Sequence, residues 1–162
     1  MAGRALLVSG IPAAGKSWFG RYLARDHGFA HYDLECHPAG WPHPDLKVLW
    51  DQSRSSFVEE LRRRHGSVVL DWGFPSHCVS WVRELQAASV QLVWFECDID
   101  RARALFVERG GRTLSSFERQ IADIRSAGFP SGLDATVVQS LAPDGKVRPM
   151  VELRNEVLGD AA

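Results

Sequence analysis

The sequence of 162 residues has almost no net charge, with 19 Lys and Arg set against 20 Asp and Glu. It therefore lacks the positive excess that holds a phosphodiester backbone by counterion release, and a nucleic-acid polymer is not the expected partner. Cysteine is also scarce. Cys36, Cys78 and Cys97 are odd in number and form no CxxC pair, which argues against a disulfide framework and for a reducing compartment, with the cytoplasm as the simple expectation. No apolar run reaches the length of a membrane span, and the first one is too short for a signal peptide, so no membrane-bound state is expected. Internal repeats, linkers and low-complexity tracts are missing as well.

What is present has the composition of a globular domain: 45% hydrophobic and 24% charged residues. The length suits one domain, here residues 1–162, with a core of useful size. Arg4 to Ser9 is a short apolar run that stops at a glycine, the pattern of a buried central strand. Phe19, Tyr22 and Leu23 then keep helical spacing between Lys16 and Asp26, with Gly28 as a stop. Phe29 to Asp33 reads as a second strand, and the stretch rich in proline, histidine and glycine from Cys36 to Pro44 as loop. One long helix is expected from Asp45 to His65, with Trp50, Phe57, Val58 and Leu61 on its inner side. Ser67–Asp71, Gln91–Glu96 and Ala135–Leu141 read as further strands. Helices are expected after Val79, from Ile99, around Phe117 to Ile124, and from Met150 to Leu158. Strands alternating with helices imply a parallel α/β sheet covered on both faces.

The chemistry concentrates at Gly10-Ile11-Pro12-Ala13-Ala14-Gly15-Lys16-Ser17, which satisfies G-x-x-x-x-G-K-[ST] between an expected strand and an expected helix. Small residues let backbone N–H groups converge on phosphate oxygens, and the helix N-terminus adds partial positive charge. Lys16 is expected to neutralise the β- and γ-phosphates of a nucleoside triphosphate, and the Ser17 hydroxyl to join the shell of a Mg²⁺ ion that bridges them. Asp71, at the end of the third strand, is the second expected member of that metal shell. Asp33, at the tip of the second strand, is the expected base toward an acceptor hydroxyl, with Glu35 close by. Arg109 and Arg112 flank Gly110-Gly111, a short lid around 109–116 that can bring a cation over a transferring phosphoryl group. Arg101 and Arg103 are read as surface residues. His27, His31, Cys36, His37 and His43 cluster in sequence but match no structural zinc spacing. Trp41 and Trp72, beside turn residues, are expected to line an acceptor pocket, whereas Trp50 is read as core.

These features together resemble the small P-loop kinases, a group that includes gluconate kinase, shikimate kinase, chloramphenicol phosphotransferase, the zeta toxins and the kinase module of polynucleotide kinase. The resemblance implies a three-layer P-loop NTPase fold with a five-stranded parallel sheet in the order 2-3-1-4-5. It also implies ATP- and Mg²⁺-dependent phosphoryl transfer to the hydroxyl of a small acceptor. By the same resemblance Lys16 and Ser17 match the phosphate lysine and metal hydroxyl, Asp33 the acceptor-side acid, and Arg109 or Arg112 the lid arginine. Two places depart from the family pattern. Leu105 stands where many members carry an arginine one helical turn before the lid arginine, and Cys36 replaces the arginine of a D-x-x-R pattern. Two other readings stay open on the residues: a nucleotide-binding ATPase or switch module without a small acceptor, and a polynucleotide 5′-hydroxyl kinase. The absence of an N-K-x-D motif favours ATP over GTP.

Overall fold

In a computed structural model, which describes residues 3–35, 44–110 and 113–159, the three inner strands are mostly apolar because both of their faces are covered. All six residues of β1 (Ala5–Gly10) and all four of β3 (Val68–Asp71) are buried, as are the middle four of β4 (Gln91–Glu96). The edge strands β2 (Ala30–Asp33) and β5 (Ala135–Gln139) are partly exposed. All pairings are parallel and the order is β2-β3-β1-β4-β5. This is the expected α/β architecture and strand order.

Seven helices occur among the described residues. They are α1 (Lys16–Asp26), α2 (Pro44–Gln52), α3 (Arg54–His65), α4 (Val79–Ala87), α5 (Ile99–Arg109), α6 (Leu114–Ala127) and α7 (Met150–Leu158). Alternation along the strands assigns the two faces. Ala5 and Leu7 of β1 join Trp50, Phe57, Leu61 and Val82 from α2, α3 and α4 in one core. Leu6 and Val8 join Phe19, Phe106, Phe117 and Leu153 from α1, α5, α6 and α7 in the other.

One long helix from Asp45 to His65 was the sequence expectation, and the chain breaks it at Ser53. That residue is extended (φ −162°, ψ 118°), and its side-chain oxygen accepts a hydrogen bond from the Ser56 N–H at 3.2 Å. A serine offers the backbone this alternative to helix continuation, and the cap starts α3 afresh. The break turns the Trp50 and Phe57 rings edge to face, with centroids 5.2 Å apart. β5 likewise ends at Gln139, two residues before Leu141, which forms an antiparallel bridge with Val147.

Candidate functional site

β1 delivers the chain to a loop that can only run as it does because two positions are glycine. Gly10 has φ +120°, and a Cβ there would lie 2.2 Å from the Phe95 carbonyl oxygen of β4. Close approach lets the Ile11 N–H donate to that same oxygen at 2.9 Å, which anchors the loop to the sheet. Gly15 has φ +91° and forms the N-cap of α1 with no side-chain capping bond. A Cβ on Gly15 would meet nothing within 4 Å, so the loop faces open space at the helix N-terminus. Ala13 also takes a left-handed conformation (φ +64°). Gly10 to Ser17 thus form a strand end, a tight loop and a helix start, and the first-turn N–H groups of α1 have no intrahelical acceptor, the geometry of an anion cradle.

Lys16 begins α1 and is buried, its ammonium donating to the carbonyl oxygens of Ile11 at 2.8 Å and Gly10 at 3.3 Å. Burial lowers its pKa below the usual lysine value, against the opposing pull of the Asp71 and Glu35 carboxylates. Asp71 ends β3 with 2% exposure. Burial pushes its pKa up, but the nearby His31 ring, the Ser17 hydroxyl and the Lys16 charge outweigh burial and leave it below the ordinary carboxylate value.

A cavity of about 400 Å³ opens over this loop. Lys16, Ser17, Glu35, Asp71 and Arg109 are among its polar lining residues, and Leu105, Phe106, Leu141, Val147 and Met150 among its apolar ones. Ser17 and Asp71 fit a Mg²⁺ ion, since a hydroxyl and a carboxylate are the hard oxygen donors that the ion takes and both line the cavity. No group of three or more His, Cys, Asp or Glu able to hold a metal occurs among the described residues. His27 and His31 belong to no zinc-type cluster; Cys36, His37 and His43 lie outside the described residues.

The other expected site residues are placed as follows. Asp33 is exposed at the exit of β2, in register with Asp71, and its Oδ1 accepts the Glu35 N–H at 2.9 Å. It is not part of the cavity lining, whereas Glu35 is. Glu35 reaches across to the segment that follows β3, where its Oε1 accepts the Gly73 N–H at 2.8 Å. Gly73 is needed for that approach, since a Cβ there would lie 2.5 Å from the same oxygen. Arg109 ends α5 exposed at the cavity rim, its guanidinium 5.9 Å from the Phe106 ring centre. Its charge reaches Lys16, whose pKa it lowers slightly further. Arg112 lies outside the described residues, as does Trp41. Arg103 pairs on the surface with Asp100 and Glu118, and Arg101 is exposed, both as expected.

Trp72 corrects the sequence reading. It follows Asp71, and strand alternation sends it to the opposite face, 7% exposed, against Trp50 and Phe74 and away from the cavity. Sequence reasoning missed Glu35 and Cys97 as cavity residues. The partner that aims Glu35 is a backbone N–H far along the chain, for which no sequence signal exists.

Fold and loop together define a P-loop architecture, a glycine-shaped loop between β1 and α1 in a parallel sheet of order β2-β3-β1-β4-β5. No protein-family model matches the chain, and no curated protein matches it by sequence. Among solved structures the chain is similar to a gluconokinase from Sinorhizobium meliloti, at 17% identity and TM-score 0.58, over 97% of this chain and 90% of that one. A sugar kinase from a Janibacter species is similar at 14% identity and TM-score 0.61, over 96% of this chain and 92% of that one. The shikimate kinase of Acinetobacter baumannii, solved in complex with shikimate, is similar at 15% identity and TM-score 0.57, over 96% and 91% of the two chains. At these identities the likeness is one of fold. No helix among the described residues is long and apolar enough to cross a membrane.

Proposed function

We propose that this chain is an ATP-dependent kinase that transfers the γ-phosphoryl group to a hydroxyl of a small acceptor. The observation that carries the reading is a buried Lys16 at the mouth of a glycine-shaped anion cradle, facing one cavity shared with Ser17, Asp71, Glu35 and Arg109. The loop binds the phosphate chain through backbone N–H groups at the start of α1, and Lys16 leaves its carbonyl partners for the β- and γ-oxygens. Ser17 and Asp71 hold Mg²⁺, which when bound shields the phosphate charge. The acceptor oxygen forms its bond to the γ-phosphorus as the bond from phosphorus to the β–γ bridging oxygen breaks, and ADP leaves. The acceptor proton passes to an acid at the exit of β2, Asp33 being the expected residue and Glu35 the one that lines the cavity. Arg109, with Arg112, neutralises charge on the moving phosphoryl group from the lid.

Asp33→Asn and Glu35→Gln variants test the assignment, with phosphoryl transfer and ATP affinity measured side by side. A kinase loses transfer in one of the two while keeping ATP affinity. Unchanged transfer in both removes the proposed base.

The position of Asp33 outside the cavity lining favours a second reading, a nucleotide-binding module that turns ATP over slowly and acts as a switch. In that case ATP binds and no hydroxyl acceptor raises turnover.

A further inference from the structure

The packing under α1 contains a pair of polar atoms that the proposed chemistry has not used. His31 on β2 and Asp71 on β3 share one face of the sheet, His31 being in register with Val69 and Asp33 with Asp71. Their side chains are 15% and 3% exposed, and His31 Nε2 lies 3.7 Å from Asp71 Oδ2. Both atoms are buried without a hydrogen-bond partner among the described residues. The gap exceeds the N–H···O range by roughly half an ångström, so a small turn of the ring closes it. Room for the ring comes from Gly20 in the middle of α1, where a Cβ would lie 2.7 Å from both Cδ2 and Nε2 of His31. Glycine is disfavoured inside a helix, and the space it leaves is filled by this imidazole.

We infer that His31 is a positioning residue for Asp71, donating its Nε2–H to the inner carboxylate oxygen and so keeping the carboxylate in place for the Mg²⁺ shell of bound MgATP. The inference rests on the nucleotide-binding reading given above. Hydrogen-bonded partners of metal-binding groups orient those groups, and their loss lowers metal affinity about 10- to 100-fold. Two variants perturb the pair from opposite sides. His31→Leu removes the donor, and Gly20→Ala leaves His31 intact but pushes its ring with a new methyl group.

The test is ATP binding by calorimetry, in excess Mg²⁺ and in excess EDTA, with the wild type, both variants and His31→Gln, whose amide N–H can replace the donor. Both perturbing variants are expected to weaken binding about tenfold or more in Mg²⁺ and less than about twofold in EDTA, with His31→Gln recovering part of the loss. Equal losses in the two media, or no loss in either, overturn the inference. Should His31→Leu fail to fold, Gly20→Ala decides alone. A wild type whose ATP binding does not depend on Mg²⁺ overturns the MgATP reading itself, a result distinct from the variants' behaviour.

Discussion

Alanine at Gly10 and alanine at Gly15 should fail in different ways, because the two glycines of the loop answer different needs. At Gly10 the new Cβ would lie 2.2 Å from the Phe95 oxygen and 2.6 Å from the Phe95 nitrogen, both backbone atoms of β4. Ordinary contact begins at 3.4 Å, so β1 and β4 must part by more than an ångström. That separation breaks the 2.9 Å bond from the Ile11 N–H to the Phe95 oxygen. An unsatisfied buried donor costs about 1–3 kcal/mol and a left-handed alanine at φ +120° a similar amount, for a total of about 2–6 kcal/mol. At Gly15 no atom stands within 4 Å, so only the φ of +91° is strained, about 1–2 kcal/mol. The methyl group stands in open space at the N-terminus of α1, where phosphate is proposed to bind, so Gly15→Ala should lose ATP binding while remaining folded. Urea unfolding gives the stabilities and calorimetry the ATP affinities. A Gly15→Ala variant as destabilised as Gly10→Ala, or one that binds ATP like the wild type, would refute the reasoning.

Ser53→Ala should lower stability by about 1 kcal/mol in urea unfolding, since it removes the cap that starts α3. Burial raises the Cys97 pKa to about 11, so alkylation at pH 8, followed by peptide mass mapping, should label Cys97 far more slowly than a free thiol; ATP should slow it further, because Cys97 lines the cavity. Asp71 has its folded pKa depressed below 3.8. Its contribution to stability is therefore complete above the unfolded value and lost as pH falls through the folded one. The stability difference between wild type and Asp71→Asn should accordingly shrink as acid unfolding is followed below pH 3.8.

The phosphate loop was legible because its motif is local: eight consecutive residues specify a turn, an N-terminus and a cation. Helices α1 and α7 and strand β4 lie within the bounds that periodicity, caps and glycine stops suggest. The division of α2 from α3 was hidden because Ser53 sits in a polar stretch, Asp51-Gln52-Ser53-Arg54, whose neighbours on both sides keep one apolar stripe. Trp72 misled because adjacency to Asp71 suggests proximity, whereas neighbouring residues in a strand face opposite ways. Glu35 and His31 depend on Gly73 after β3, Asp71 at its end and Gly20 in α1, and pairs brought together by topology carry no local pattern.

The most direct test of the central claim is Mg²⁺-dependent ADP release from ATP by the wild type and by Lys16→Ala, with and without pools of hydroxyl acceptors that include sugars, nucleosides, antibiotics and 5′-hydroxyl oligonucleotides. A kinase shows release stimulated by a small-molecule pool and abolished in the variant. Tight ATP binding with turnover that no pool stimulates contradicts the kinase assignment.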